Sequence, residues 1–367
     1  MTEIKEGSAV ITVEDGVFFN PKMKKLRDIS VMLVASVARG RKCRFLDATS
    51  ATGVRGIRYA LEAGVSDLTF IDINEKAAAN TVKNALINGL QASVANISIQ
   101  EFANTSNEHF DIIDLDPFGS AAPYIYDIMK ISRDNTMIMV TATDTAVLCG
   151  AHRLACLKTY GAEPIHNELC HEAGLRILIS FIAKIASQFN FGIEVMLGIA
   201  DMHYMRVFLR LHKGAANAIE SIKQIGFLGY CNNCHNFYTA KGISSSLERK
   251  CSYCGEATGS YGPLWLGSIS DKKLLAKVAH DFSGHADMKE ALAMLSSILE
   301  ELDTPFSYSV PKITKFLGIS SVSPKKLAKA LSGGSKATGT IFCDGCIKTD
   351  AKIAAVIDAA KRLANER

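Results

Sequence analysis

Between Cys43 and Thr143 short apolar runs alternate with helical patterns, and no other feature of the chain constrains its fold as strongly. Apolar strands separated by helix-length segments specify a parallel sheet with crossover helices. Cys43–Ala48 reads as a strand, Thr49–Gly53 as a loop and Val54–Ala63 as a helix. Leu68–Ile73 and Glu75–Leu86 repeat the pair, and a weaker strand follows near Ser93–Ile99. Asp111–Leu115 is an apolar strand ending in Asp116-Pro117-Phe118-Gly119. A helix through Tyr124–Ile131, a strand Thr136–Thr143 and a long, mostly apolar core helix Gly174–Gln188 continue the series.

Ile193–Ala200 and Met205–Leu211 then read as two strands joined by a short polar turn. Dinucleotide-binding dehydrogenase domains keep their sheet parallel, so a terminal antiparallel hairpin points to a methyltransferase-type doubly wound α/β sheet instead. From about Gly214 the texture changes. Gly226–Gly267, rich in cysteine, glycine and serine, reads as a small metal-organised unit. Helical segments Lys272–His280 and Met288–Leu302 follow, and then Val310–Leu317, Ser323–Leu331 and the polar stretch Ser332–Gly345 read as helix, helix and wing. The expected organisation is a catalytic domain over 1–213 and a C-terminal α+β domain over 214–367, with a zinc ribbon at about 226–267 and a winged-helix-like unit at about 305–350.

With 367 residues, 48% of them hydrophobic and 21% charged, the chain can build substantial cores. A net charge of +4 permits nucleic-acid binding without implying it, because clustering matters more than the sum. No apolar run reaches membrane-spanning length and the N-terminus lacks a signal-peptide pattern, so the expectation is a cytoplasmic protein without a membrane partner. Nothing in the sequence implies an obligate protein partner.

The loop from Asp47 to Gly56 lies between the first strand and its helix. Gly53 and Gly56 are expected to let the backbone approach a ligand, and the helix N-terminus favours an anionic group there. The loop lacks GxGxxG, which argues against a dinucleotide, while the carboxylate of S-adenosylmethionine suits it. Asp72, at the end of the second strand, is placed to accept both ribose hydroxyls. The alternative is a structural turn with a surface aspartate.

Asp116-Pro117-Phe118-Gly119 suits methylation of an exocyclic amine, whose lone pair is delocalised into its ring. Such chemistry needs an acceptor for the N–H groups and finally for a proton. Asp116 supplies a carboxylate, the Pro117 carbonyl a second acceptor, and Phe118 a face on which an extruded base stacks, worth about 1–3 kcal/mol. The turn looks like the (D/N)PP(Y/F) signature of amino-methyltransferases. A strand-ending turn with a packed phenylalanine is the structural alternative.

Together these residues resemble the archaeal tRNA (guanine(26)-N2)-dimethyltransferases over nearly the whole chain. The strings that carry the resemblance are Phe18-Phe19-Asn20-Pro21-Lys22-Met23 with Arg27-Asp28, SATGVRGIRYA, DLDPFGS, VTATDTAVLCGAH, ELCHEAGLRIL, YGPLWLG and IKTDA. Lys22, Leu26, Phe102, Ala121 and Cys346 depart from the usual residues. The resemblance implies transfer of one or two methyls from S-adenosylmethionine to N2 of a tRNA guanosine. It also implies cofactor contacts from Arg27, Arg55 and Asp72, with Glu101, Phe102 and Ala103 near the adenine, and Asp116 as the catalytic carboxylate.

Cys231-x2-Cys234, sixteen residues, then Cys251-x2-Cys254 is the spacing of a tetrathiolate zinc ribbon. The adjacent His235 is expected to face solvent. Cys343 and Cys346 form a pair without a second pair, reduced, disulfide-linked or incidental, and no metal is assigned to them. His152, Cys170, His171 and Glu172 match no familiar ligand spacing and read as structural or substrate-positioning residues. The basic stretches Lys22–Arg27, Arg39–Arg44 and Lys325–Lys329 read as solvated faces, the last becoming a phosphate contact if it lies on a winged helix. Two other functions stay open on the residues alone: an amino-methyltransferase for adenine or cytosine in other nucleic acid, and a zinc-ribbon and winged-helix binder with a vestigial sheet domain.

Overall fold

The computed structural model describes residues 2–201, 203–242 and 247–366. The chain opens with an antiparallel hairpin, β1 (Thr2–Glu6) and β2 (Ala9–Val13), followed by helix α1 (Lys24–Ala38). The alternating region then runs β3 (Arg44–Asp47), α2 (Val54–Ala63), β4 (Asp67–Ile71), α3 (Glu75–Ile87), β5 (Ser93–Ala95), α4 (Ile99–Thr105), β6 (Phe110–Leu115), α5 (Ala122–Lys130) and β7 (Ser132–Ala142). Short helices α6 (Thr145–Leu148) and α7 (Arg153–Tyr160) lead to the long α8 (Cys170–Gln188), and β8 (Phe191–Ala200) and β9 (Met205–Lys213) close the sheet.

The seven strands lie in the order β5-β4-β3-β6-β7-β9-β8. The first five run parallel, whereas β9 is inserted antiparallel between β7 and β8. Period-two alternation explains why both faces are covered. Leu46 and Ile113 point into one apolar cluster with α5 and α8, while their neighbours Phe45 and Ile112 point into another with α1 and α2. Local chemistry fixes the helix starts. Asn74 caps α3 by accepting from the Lys76 N–H at 3.0 Å, and Ser98 caps α4 by accepting from the Glu101 N–H at 3.1 Å. The latter shows why the weak strand expected to reach Ile99 stops at Ala95.

The N-terminal hairpin had no clear signature in the sequence. It is strapped to α3 by three asparagines at helical spacing. The Asn80 and Asn84 side chains donate to the Thr12 carbonyl at 3.0 Å, and Asn88 donates to that of Val10 at 2.7 Å. At its turn Glu6 is buried between Arg27 and Arg58. Arg27 therefore does not belong to a solvated basic face: it is 4% exposed and also donates to the Asn20 carbonyl at 3.1 Å.

After β9, helix α9 (Ala215–Ile222) packs on the outer strand β8, with Ser221 Oγ accepting from the Ile193 N–H at 2.8 Å. The three-stranded ribbon sheet is β11 (Phe237–Lys241), β10 (Ile225–Cys231) and β12 (Thr258–Trp265) in spatial order, and the part of the expected unit at 243–246 lies outside the described residues. Helices α10 (Lys272–Asp281) and α11 (Lys289–Glu300) join the cluster under α1. The chain ends with β13 (Tyr308–Ser309), α12 (Val310–Leu317), α13 (Pro324–Leu331), β14 (Ala337–Gly339), β15 (Cys346–Thr349) and α14 (Ile353–Asn365) around their own apolar cluster. This is a winged-helix-like arrangement with β14 and β15 as the wing. Cys343 and Cys346 are joined as a disulfide. No helix among the described residues is long and apolar enough to cross a membrane.

Candidate active site

The carboxyl ends of β3, β4, β6 and β7 converge on one cluster of charge. At the end of β3 the loop is pinned from behind. The Thr81 hydroxyl bonds the Ala51 carbonyl at 3.1 Å, Asn84 donates to the Thr52 carbonyl at 2.9 Å, and Asp72 accepts from the Ala51 N–H at 2.8 Å. Gly53 sits at φ +74°, where an added Cβ would also stand 2.9 Å from the Thr81 methyl. Gly56 plays a different part from the ligand approach expected of it. A Cβ there would lie 2.5 Å from the Phe70 ring and 2.7 Å from that of Phe45, so this glycine seats α2 on the sheet.

Asp72 spans two segments, its other oxygen accepting from the Asn74 N–H at 2.9 Å. Its backbone bonds Ala95 and Ile97 at 3.2 Å each, which links it to the strand leading into α4. On α4 Glu101 is exposed, Phe102 packs toward Phe110 and Ala103 is buried in the core. The side chains of Phe102 and Ala103 thus pack into the core on this side of the sheet.

Asp116 meets the Arg55 guanidinium in a close ion pair across the sheet end. Burial would push this carboxyl up, but the charges of Arg55 and Arg206 outweigh it and hold Asp116 below the usual carboxylate range. Its N–H donates to Thr49 Oγ1 at 2.9 Å. Beneath it Asp114 is fully buried and accepts from the Tyr59 hydroxyl at 2.8 Å and from Arg206 at 2.9 Å. Asp47 is the outlier. Burial and then the neighbouring Asp114 push its carboxyl up to about 8, against the pull of Arg55. Four atoms of this cluster are buried without a hydrogen-bond partner among the described residues: the donors Arg55 Nη1 and Arg206 Nε, and the carboxyl oxygens Asp47 Oδ2 and Asp114 Oδ1.

The turn after Asp116 is braced by the next strand. The Thr143 N–H donates to the Gly119 carbonyl at 2.9 Å and the Gly119 N–H to Thr143 Oγ1 at 2.8 Å. Ser120 shares a 2.8 Å bond with the Tyr160 hydroxyl, which also donates to Asp144. Phe118 is left 76% exposed, and it meets the edge of Phe18 at a centroid distance of 4.8 Å. Phe18 is itself half exposed. Asp47, Asp114 and Phe18 stood in the sequence motifs without a role of their own, and Arg206 had not been singled out. An acid closing each of the strands β3 and β6 was a usable signal, but the Phe18 contact joins residues far apart in the chain.

The family model described as N2,N2-dimethylguanosine tRNA methyltransferase matches residues 1–361. The chain belongs to this family. A tRNA (guanine(26)-N(2))-dimethyltransferase of Thermococcus kodakarensis is 37% identical across 99% of this chain and all of that protein. One from Methanothermobacter thermautotrophicus is 34% identical across 96% and 97%. The solved structure of Trm1 from Pyrococcus horikoshii with S-adenosyl-L-methionine superposes with a TM-score of 0.90 at 32% identity, covering 98% of this chain and 99% of that one. As a member of the dimethylguanosine methyltransferase family, the chain places its charge cluster where a doubly wound sheet takes its ligand, outside the carboxyl ends of the strands. A groove of about 450 Å³ between α9, β8 and Trp265 contains none of these residues.

The ribbon cysteines come together as their spacing requires. The Sγ atoms of Cys231, Cys234, Cys251 and Cys254 lie within 4.8 Å of one another, with Cys231–Cys254 and Cys234–Cys251 at 3.5 Å. A tetrahedral ion with metal–sulfur bonds of about 2.3 Å needs edges of roughly 3.8 Å, so the four thiols fit one. His235 is half-buried rather than facing solvent, its Nδ1 2.8 Å from the Tyr230 hydroxyl. That hydroxyl also bonds Glu168, which explains why the histidine turns inward.

Proposed function

We propose that this chain transfers one or two methyl groups from S-adenosylmethionine to the exocyclic N2 of guanosine 26 in tRNA. The observation that carries the reading is the Arg55–Asp116 pair at the mouth of the site, with exposed Phe118 and Phe18 beside it. The orphaned Arg55 Nη1 and Asp47 Oδ2 fit the two ends of a zwitterionic amino acid, its carboxylate and its ammonium. Asp72 holds the ribose hydroxyls, and the segment Glu101–Ala103 borders the adenine, mainly through its backbone. Arg27, stacked on Phe19 at 5.0 Å and close enough to Arg55 for their charges to repel, shapes the wall behind the methionine end. S-adenosylmethionine supplies a methyl group activated by its sulfonium.

The ionised Asp116 accepts an N2–H bond and finally the proton that N2 must lose. The Pro117 carbonyl, which accepts no hydrogen bond from the described residues, offers the second acceptor. Phe118 and Phe18 provide apolar faces for a base out of its stack. The tetrathiolate ribbon holds one structural zinc. The region after 213 grips tRNA through phosphates and shape. Supporting this are the exposed Lys325, Lys326 and Lys329 on α13, and Lys361 and Arg362 of α14 bordering an open depression of about 780 Å³. The intact carboxylate cluster disfavours a purely non-catalytic binder. Incubating unmodified tRNA with enzyme and cofactor, then analysing nucleosides by mass spectrometry, tests the reading. N2-methylated guanosine at position 26 is expected, and methyl groups on adenine or cytosine instead would overturn it.

A further inference from the structure

Behind the base-binding turn a second group of thiols and imidazole comes together. Cys149, just after α6, Cys170, the first residue of α8, and His171 place their Sγ, Sγ and Nδ1 atoms within 4.8 Å of one another. The Cys170 Sγ to His171 Nδ1 distance is 3.9 Å. Close backbone packing builds this group. A Cβ on Gly174, one turn along α8, would stand 3.0 Å from the Leu148 carbonyl, and one on Gly150 would stand 3.0 Å from that of Ile165. These two glycines let the Cys149 segment lie directly against the start of α8. His166 accompanies it, its Nδ1 2.8 Å from the Cys149 carbonyl.

We propose that Cys149, Cys170 and His171 form a second metal site, separate from the ribbon, which takes a thiophilic divalent cation such as Zn²⁺. With bonds of about 2.3 Å to sulfur and 2.0–2.1 Å to nitrogen, tetrahedral ligand atoms stand roughly 3.5–3.8 Å apart; the 3.9 Å Cys170–His171 separation is close to this, and no pair exceeds 4.8 Å. Two sulfurs and a ring nitrogen select zinc, cobalt or iron over magnesium and calcium, which demand oxygen ligands. Binding displaces one proton from each thiol, and the two thiolates then neutralise the ion. Three protein ligands leave the fourth position to water. The ion ties the segment just after α6 to α8, and the loop from β7 into α6 braces Gly119 through Thr143. The site therefore stiffens the turn that carries Asp116 and Phe118 without touching the reacting atoms.

Cobalt titration of the full chain, stripped of metal under reducing conditions, tests this. Thiolate-to-cobalt absorption should saturate at two equivalents in the wild type and at one in Cys149→Ser/Cys170→Ser. The ribbon variant Cys231→Ser/Cys234→Ser should keep one equivalent, which separates this site from the ribbon's own zinc. Should the double serine variant fold poorly, His171→Phe leaves both thiols in place. It should weaken the second equivalent by more than the roughly 10–100-fold that even an outer-shell partner is worth. Equal uptake by wild type and Cys149→Ser/Cys170→Ser would overturn the proposal. So would unchanged second-site affinity in His171→Phe, or a Cys149–Cys170 disulfide in wild-type protein that binds no second ion after reduction.

Discussion

Lys348 Nζ, on the wing strand β15, stands 3.2 Å from Glu172 Oε2 on α8, and both side chains are 2% exposed. Glu301 takes the same ammonium at 2.7 Å, Arg176 pairs with Glu172 at 2.8 Å, and the Phe306 N–H donates to Glu172 at 2.9 Å. Arg176 also reaches the carbonyls of Trp265 and Gly267 at 2.9 and 3.0 Å. A compensated set of buried charges thus joins the catalytic sheet, the ribbon strand and the wing. Burial pushes the Glu172 carboxyl up, but Lys348 and Arg176 outweigh it and hold it below the usual range. The stability that Glu172 contributes is therefore present above the ordinary glutamate range and lost as pH falls through its lowered value. Lys348→Met leaves a buried carboxylate uncompensated and should cost about 3–5 kcal/mol. Denaturant titration checks this, and a loss below about 1 kcal/mol would mean the wing is not anchored here.

Asp116→Asn keeps the shape of the turn and removes the proton acceptor. Single-turnover methylation at saturating cofactor should slow by roughly 10²–10⁴-fold. Wild-type single-turnover rates in the variant would assign the proton to another group.

Cofactor binding should release a proton from Asp47. Its carboxyl is held up to about 8 in the free protein, and a bound ammonium favours the ionised form. The sign follows directly: release is expected below about pH 8, where Asp47 is still protonated, and fades above it. Titration calorimetry in buffers of different ionisation enthalpy measures it. A binding enthalpy independent of buffer at pH 7, or linkage unchanged in Asp47→Asn, would rule it out.

If the ribbon holds the proposed zinc, Cys251→Ser should release it and loosen 226–267, because a structural zinc contributes apparent binding free energy on the order of 10–16 kcal/mol to local folding. Elemental analysis together with hydrogen exchange of β10 and β12 reads both effects. Retention of the full zinc complement would remove Cys251 from the ligand set.

Replacing Lys325, Lys326 and Lys329 together by alanine should weaken tRNA binding and flatten its salt dependence. If each lysine neutralises one phosphate, the log–log slope falls by roughly two to three. An unchanged slope would place the phosphate contacts on another face.

The parallel sheet and its terminal hairpin were legible because apolar period and strand-ending acids are local signals. Helices α2 and α12 begin and end where the sequence reading placed them, bounded by glycine turns and by Pro311. The hairpin β1–β2 was not legible. Its partners are Asn80, Asn84 and Asn88 on a helix whose exposed-looking amides turn out to bond a distant backbone. Arg27 misled for the same reason, since a basic stretch does not announce that one member will find Glu6. That Asp72, Asp116 and Phe118 stand at the carboxyl ends of the sheet could be read from strand ends and one short motif. The raised Asp47 carboxyl could not, because it depends on Asp114 and Arg55 converging from other strands.

Phe18 and Phe118 rest edge to face against each other in the open. Such a contact is worth about 0.5–1.5 kcal/mol beyond the area it covers, and a guest that slides between the rings must first part them. A guest that does not stack on both faces forgoes that much, at most about tenfold in affinity. A purine, broad and already swung out of its helix, repays the parting twice over. Under the proposed function the two phenylalanines are a weak latch, one that favours wide flat guests over narrow ones without barring either.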